Sequence, residues 1–243
     1  MLRPYWILRH NKAVRAYVIN LSSRPDRWDS VESQAKQLQL PIVRIEAVEM
    51  KTLTNQDLYV ADGVAATWQS HQLAMSVFLE TGESYGVILE DDFSIARGWS
   101  RESLKRATEV NPDFFQLGYL ITSPLDRIEF LLNNSFDRTL KILNRLCLLS
   151  KLLRKRVGNR LLIREQTDLP WSIVPNDIRA GGQAYLVSRR FALASKYMNT
   201  PAFTSADGMF MTLGDVRTFR MFRFRNSLIN QTNSMTSVQQ RYL

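Results

Sequence analysis

The chain has 243 residues, of which 45% are hydrophobic and 23% charged, a composition typical of soluble globular proteins. This length suits one full α/β core and is too short for two generous domains. No apolar run approaches the ~18 residues that span a bilayer, and the first ten residues lack the apolar core of a signal peptide. Because Cys147 is the only cysteine, an internal disulfide is excluded, and we expect a reducing, cytoplasmic compartment.

The net charge of +9 is concentrated in one segment. Nine of the 32 Lys and Arg residues, and no acidic residue, lie between Arg138 and Arg164, so the rest of the chain has 23 basic and 23 acidic residues. Leucines among these cations are typical of a helix on a membrane surface, although a core-packed helix with its cations in solvent is an equal alternative. The segment has no aromatic side chain to stack on bases, which argues against nucleic acid as a partner.

The chain opens with a predicted strand, helix and second strand. Ala16–Leu21 is apolar and β-branched, Ser23 is the expected N-cap of a helix with apolar residues at helical spacing, and residues 42–45 form the next strand. This order is typical of a parallel α/β sheet. Arg24 and Arg27 lie where the first strand meets the helix, a position that favours a phosphate, although local pairing on the surface would also explain them.

Two helices are predicted next, over residues 54–60 and over 64–81, the second ended by Gly82. On the longer helix His71 shares a face with Trp68, because the two lie three residues apart. We therefore interpret His71 as a core histidine with a hydrogen-bonded partner rather than as a metal ligand.

The central feature of the sequence is a buried strand that ends in three acids. Residues 85–89 are largely apolar, and Glu90, Asp91 and Asp92 follow them directly. The carboxyl ends of strands in open α/β sheets border the ligand crevice. Three adjacent carboxylates repel one another, so we expect a positive charge among them, in the first instance a divalent cation that carries phosphate oxygens. A solvated acidic turn without a ligand is the alternative.

After the acids, the region of about 122–178 interrupts the alternation of strands and helices, and we interpret it as a helical basic insert. Asp207 lies near the start of a later short helix, where a carboxylate that stays ionised suits a cap and also a general base. The remaining predicted elements are a helix over 101–110, strands over 113–120 and 181–188, a helix over 189–199 capped by Ser188, and a strand over 218–224 with one basic side.

Taken in order, these motifs resemble glycosyltransferase family 25, the family of lipopolysaccharide-type sugar transferases and collagen galactosyltransferases. The resemblance runs from about residue 16 to 235. It is carried by Val18–Leu21 with Arg24 and Arg27, which is similar to the family's opening block; by Ser70–His71, similar to its helix motif; by Val87–Asp92, similar to its acidic strand; and by Ala184–Ser188 with Asp207, similar to its later block.

The resemblance implies a single domain with a GT-A-type α/β fold and a mostly parallel central sheet. It also implies an inverting transferase that moves a hexose, with galactose favoured, from a UDP-sugar to a cell-surface or lipid-linked glycan. The cofactor would be a divalent cation, Mn²⁺ or Mg²⁺. The implied site comprises Asp207 as catalytic base, Asp92 and Glu90 as metal ligands, and Asn20, Leu21, Arg24, Arg27, Glu90 and Asp91 around the nucleotide sugar.

Two further expectations accompany this interpretation. Many GT-A enzymes place a late histidine on the metal, yet both histidines here, His10 and His71, are early, so the metal would use Asp207, Asp215 or water instead. The basic segment 138–164 would hold the enzyme peripherally at the inner face of the membrane or against its acceptor. The alternative function is a catalytically reduced binding protein on the same scaffold, which docks on an anionic or membrane surface.

Overall fold

A computed structural model of the chain describes residues 14–53, 60–120 and 173–232. The short helix predicted from residue 54 and the basic segment 138–164 lie outside these ranges. The helical nature of that segment and its contact with a membrane or an acceptor therefore stay predictions.

The described residues form nine strands and five α-helices. Among these helices none is long and apolar enough to cross a membrane. In chain order the elements are β1 Arg15–Asn20, α1 Pro25–Leu38, β2 Ile42–Glu46, a 3₁₀ turn Met50–Thr52, α2 Asp62–Glu80, β3 Tyr85–Glu90, β4 Phe93–Ile95, α3 Arg101–Glu109, β5 Phe114–Gly118, β6 Ile173–Pro175, β7 Ala184–Ser188, α4 Arg189–Ser195, α5 Ala206–Val216, β8 Met221–Phe224 and β9 Ile229–Gln231.

Seven of the strands form one central sheet in the order β2-β1-β3-β7-β5-β8-β6, and β4 pairs with β9 in a small second sheet. Strand β1 is parallel to β2 and β3, and β5 is parallel to β8. Strand β7 is antiparallel to both β3 and β5, and β6 is antiparallel to β8. Five of the seven strands therefore run in one direction, which confirms the predicted α/β class with a mostly parallel sheet.

The sheet is covered on both faces because its central strands alternate side chains between two apolar cores. On β1, Tyr17 and Ile19 belong to one core and Ala16 and Val18 to the other, as the two-residue period of a strand requires. Helices α2, α4 and α5 supply the first core, and α1 and α3 supply the second. This arrangement fixes the carboxyl ends of β1 and β3 at one edge of a sheet whose central strands are buried.

Two local predictions were wrong. Ser23 is not the N-cap of α1, because Pro25 occupies the first turn and leaves Arg24 at the cap position without a side-chain capping bond. Residues 173–175, predicted to belong to the insert, form β6 of the central sheet. The strand predicted over 218–224 is present as β8, and its arginine is buried: Arg223 is 4% exposed, and its guanidinium donates to the Asp177 side chain and to backbone oxygens.

Candidate functional site

The candidate site lies at the point where the connections of the sheet change direction. The chain passes from β1 to β2 on one side and then returns to β3 on the other side of β1. In open α/β sheets a crevice forms outside the carboxyl ends of the strands at such a switch point. A cavity of about 560 Å³ lies there, a volume within the range of small-molecule sites.

The cavity walls come from eight parts of the chain. Apolar side chains and backbone form much of the surface, and the charged groups are few, which is the pattern of a pocket that fixes the orientation of its ligand. The walls comprise Ile19, Leu21, Ser23 and Arg27 around the end of β1 and the start of α1; residues 47–51 after β2; Gly63, Val64, Ala66, Thr67, Ser70 and His71 of α2; Glu90 and Asp91 at the end of β3; Leu120 after β5; residues 181–183 before β7; Ser205, Ala206 and Asp207 at the start of α5; and Gln231 of β9.

Asp91 is neutralised by Arg27 on one side of the cavity. Arg27 donates through Nη1 to Asp91 Oδ1 at 2.9 Å, and both side chains are largely buried. The other carboxylate oxygen accepts a hydrogen bond of 2.7 Å from Asn20 Nδ2. Arg27 lines the cavity, and its Nε and Nη2 are buried with no hydrogen-bond partner among the described residues. A guanidinium with two unmet donors is suited to an oxyanion such as a phosphate.

Glu90 is the acid of the triplet with the most open carboxylate. Its side chain is 27% exposed and lines the cavity, and its Oε1 lies 3.5 Å from His71 Nε2. His71 is fully buried, and its Nδ1 lies 2.7 Å from the Tyr185 hydroxyl oxygen. The prediction of a core histidine with a hydrogen-bonded partner is confirmed.

Asp92 does not line the cavity and is only 3% exposed, and its expected role as a metal ligand stays a prediction. After β3 the chain turns into β4, and the adjoining β9 covers this residue. Gln231 Nε2 donates to Asp92 Oδ2 at 2.9 Å, whereas Oδ1 is buried without a partner among the described residues. Burial, and then the charge of Glu90, raises the pKa of Asp92 to about 6.

This raised pKa predicts that Asp92→Asn stabilises the metal-free protein. The native carboxyl titrates near 6 against 3.8 in the unfolded chain, so the native state binds more protons between these values and loses stability as pH rises through that window. In EDTA at pH 7.5 we expect the variant to be more stable by about 1–2 kcal/mol, with the gain vanishing toward pH 4. Urea unfolding across this pH range measures the difference. The exposed Asp29→Asn is the control, and an equal pH dependence in both variants would refute the assignment.

Asp207 lies in the first turn of α5, where Ser205, not Asp207, supplies the capping oxygen. The Asp207 side chain instead accepts a 2.9 Å hydrogen bond from the backbone N–H of Gly181. A Cβ on Gly182 would come within 2.8 Å of Asp207 Oδ1, so this close approach requires glycine. Burial and the charge of Glu90 raise the pKa of Asp207, which corrects the expectation that the helix terminus dominates its ionisation.

The structure therefore brings five of the eight predicted site residues to the cavity: Leu21, Arg27, Glu90, Asp91 and Asp207. Asn20 lies behind the wall and holds Asp91. Arg24 does not line the cavity. It pairs with Asp26 on the surface through two hydrogen bonds of 2.9 and 2.7 Å, the local pairing that was its alternative explanation.

No protein-family model matches this chain, and no curated protein matches it. The resemblance to glycosyltransferase family 25 therefore rests on the sequence motifs alone. The geometry of the cavity is an independent observation, because it follows from the course of the strands and from the contacts of the side chains that line it.

Sequence reasoning missed several cavity residues. Gln183 is 2% exposed, lines the cavity, and its Nε2 has no hydrogen-bond partner among the described residues. Glu49 and Lys51, which follow β2, also line the cavity, and their side chains form an ion pair at 2.6 Å. The sequence signal for this part of the cavity wall was the Gly181-Gly182 pair before β7, because glycines mark backbone conformations that other residues rarely adopt. In the structure Gly181 has such a conformation, with a φ of +117°.

The predicted cation site is only partly preassembled. In the described part of the chain no three His, Cys, Asp or Glu side chains are grouped so that they could hold an ion. Glu90 and Asp92 nevertheless offer carboxylate oxygens, and the buried Oδ1 of Asp92 has no partner among the described residues. Mg²⁺ is commonly held by one or two carboxylates together with phosphate oxygens. The carboxylate of Glu90, at the cavity, therefore fits a hard divalent cation that a phosphate ligand helps to hold, whereas Asp92, behind the cavity wall, would reach that cation only after a change of its side-chain conformation.

Proposed function

We propose that the chain is a metal-dependent, inverting glycosyltransferase of the GT-A type, which transfers a hexose from a UDP-sugar to a cell-surface or lipid-linked glycan. One observation carries the proposal: a single cavity at the switch point of the sheet is lined by Arg27, with two unmet donors, and by the carboxylates of Glu90 and Asp207. Transfer from a nucleoside diphosphate sugar requires two groups: a positive charge that binds the diphosphate oxyanions and a base that deprotonates the acceptor.

The diphosphate is the part of the donor that Arg27 recognises. Its Nε and Nη2 donate to phosphate oxygens, while Nη1 stays on Asp91, so the guanidinium keeps its orientation when the ligand binds. Glu90 at the cavity, joined by Asp92 after a change of its side-chain conformation, would hold the divalent cation, which when bound offsets the negative charge of the leaving nucleoside diphosphate. Leu21 and the apolar residues after β2 provide the walls for the nucleoside.

Asp207 is the base that takes the proton from the acceptor hydroxyl. The N–H of Gly181 fixes its Oδ2, so the carboxylate is held in one orientation at the cavity. Burial and Glu90 raise its pKa, and a raised pKa makes the ionised carboxylate a stronger base at neutral pH. Inversion at the anomeric carbon needs one such base and no covalent intermediate with the protein.

The fold supports the GT-A assignment without deciding it. Five of seven sheet strands run in one direction, helices cover both faces, and the acids follow a central strand. The membrane contact through residues 138–164 and a cytoplasmic location are part of the same proposal. Liposome sedimentation of the chain with and without residues 138–164 tests the membrane contact. If the shortened chain still binds liposomes, this contact is excluded.

Thermal unfolding with nucleotides tests the proposed donor. We expect UDP, UDP-galactose and UDP-glucose to raise the melting temperature in Mn²⁺, with a smaller effect in EDTA and none with ADP. At one hundred times the dissociation constant, binding adds about 2.7 kcal/mol, which is a shift of several degrees for a chain of this size. A melting temperature that no uracil nucleotide changes, with or without Mn²⁺, would exclude the donor site.

The alternative is a catalytically reduced binding protein with the same cavity. It is favoured by one observation, that both oxygens of Asp91 are already engaged, by Arg27 and Asn20. Nucleotide binding without any UDP-sugar hydrolysis would support this alternative, whereas hydrolysis that requires Mn²⁺ would support the transferase.

A further inference from the structure

Glu90 is approached from the core by a chain of two buried side chains. Tyr185 on β7 and His71 on α2 are both 0% exposed, and the Tyr185 hydroxyl oxygen lies 2.7 Å from His71 Nδ1. On the other side of the ring, His71 Nε2 lies 3.5 Å from Glu90 Oε1. Phe210 packs edge-on against the His71 ring, and Tyr185 packs against it at 5.6 Å. The imidazole is therefore fixed by packing and by one hydrogen bond.

The proton on the ring can be assigned from these contacts. Burial, and the nearby charges of Glu90 and Asp207, raise the pKa of Tyr185 well above its ordinary value, so its hydroxyl keeps the proton. A buried hydroxyl that donates to nothing is costly, and His71 Nδ1 lies in position to accept. The ring proton of a neutral imidazole then belongs to Nε2, where it faces the carboxylate. The opposite tautomer would leave the hydroxyl proton unpaired and turn a nitrogen lone pair toward Glu90.

We propose that Tyr185 holds His71 in the Nε2-protonated tautomer, and that this N–H positions the carboxylate of Glu90 at the cavity. His71 is a positioning residue in this arrangement and does not contact the ligand. The separation of 3.5 Å exceeds a normal hydrogen bond. Because His71 is buried and Glu90 is partly exposed, the adjustment that closes the bond falls on Glu90. One carboxylate oxygen is then occupied by His71 and the other stays available to a ligand.

The tautomer can be observed directly in the unliganded full-length chain. We expect long-range ¹H–¹⁵N correlation spectra to show the His71 ring protonated at Nε2 and not at Nδ1. The chain has two histidines, so His10→Gln assigns the remaining signal to His71. A ring protonated at Nδ1, or at both nitrogens, would overturn the proposal. This result does not depend on nucleotide binding, so it stands apart from the proposed function.

The consequence for the ligand rests on the proposed function and is tested by a matched pair of variants. His71→Gln keeps an N–H donor near the position of Nε2, whereas His71→Asn can accept from Tyr185 but is too short to reach Glu90. With UDP and Mn²⁺ in titration calorimetry, we expect His71→Asn to lose about 10–100-fold in affinity, as is usual for residues that support a ligand-bearing carboxylate. His71→Gln should keep most of the wild-type affinity.

Equal affinity losses in the two variants would show that His71 only fills the core, and would overturn the positioning role. Thermal unfolding of both variants checks that each is folded under the conditions of the titration. If the wild-type chain binds no UDP, the donor proposal fails, and the tautomer measurement alone decides whether Tyr185 sets the protonation of His71.

Discussion

Asp207→Asn is expected to lower the rate of Mn²⁺-dependent UDP-sugar hydrolysis by about 10²–10⁴-fold, the usual contribution of a general base. The asparagine Oδ1 can still accept from the Gly181 N–H, so the loop and the cavity should keep their shape. Burial and Glu90 disfavour the native charge, so removing that charge should not destabilise the fold. A coupled assay for UDP release measures the rate.

Asp215→Asn is the matched control, because Asp215, named from the sequence as a possible metal ligand, lies on the same helix but is exposed and does not line the cavity. It should hydrolyse UDP-sugars at the wild-type rate. The affinity of Asp207→Asn for UDP should also stay close to that of the wild type, since Asp207 acts on the acceptor and not on the diphosphate. Wild-type turnover in Asp207→Asn would exclude it as the base and leave the cavity without an assigned proton acceptor.

The strands of the fold could be predicted where burial alone decides them. The apolar run predicted as a strand over residues 85–89 is strand β3, Tyr85–Glu90, in the structure. Strands β4, β6 and β9 were not predicted. They are three residues each, and β6 contains Pro175, so none of them has the length or the alternation that distinguishes a strand in the sequence. Such short elements are determined by the partner strand rather than by their own residues.

The candidate site could be predicted in outline but not in its electrostatics. The carboxyl ends of β1 and β3 were expected to meet, and they do, because parallel neighbours bring these ends to one edge. The sequence could not show which of two nearby arginines would neutralise Asp91. In the structure Arg27 does so, and Arg24, three residues earlier, pairs with Asp26 on the surface. Arg24 and Arg27 are three residues apart, a spacing that on a helix leaves side chains only about 60° from each other, so only tertiary structure decides which of them reaches the acids.

The contact between Arg27 and Asp91 gives the second large expected effect. Arg27→Met is expected to lower the free energy of unfolding by about 3 kcal/mol, because it leaves the largely buried carboxylate of Asp91 with Asn20 as its remaining side-chain partner. The same variant should lose the rise in melting temperature that UDP produces, since the two donors proposed to bind the diphosphate are gone. Urea unfolding measures the first effect and nucleotide-dependent thermal unfolding the second.

The double variant Arg27→Met/Asp91→Asn separates these two roles. With the charge of Asp91 also removed, much of the lost stability should return, because the penalty comes from an unpaired buried charge and not from the lost contact itself. The response to UDP should not return, because no guanidinium is present to bind phosphate. Arg24→Met, which breaks only an exposed pair, should leave both the stability and the UDP response unchanged. A double variant that recovers the UDP response would show that Arg27 serves only to neutralise Asp91, and the donor's diphosphate would need another cation.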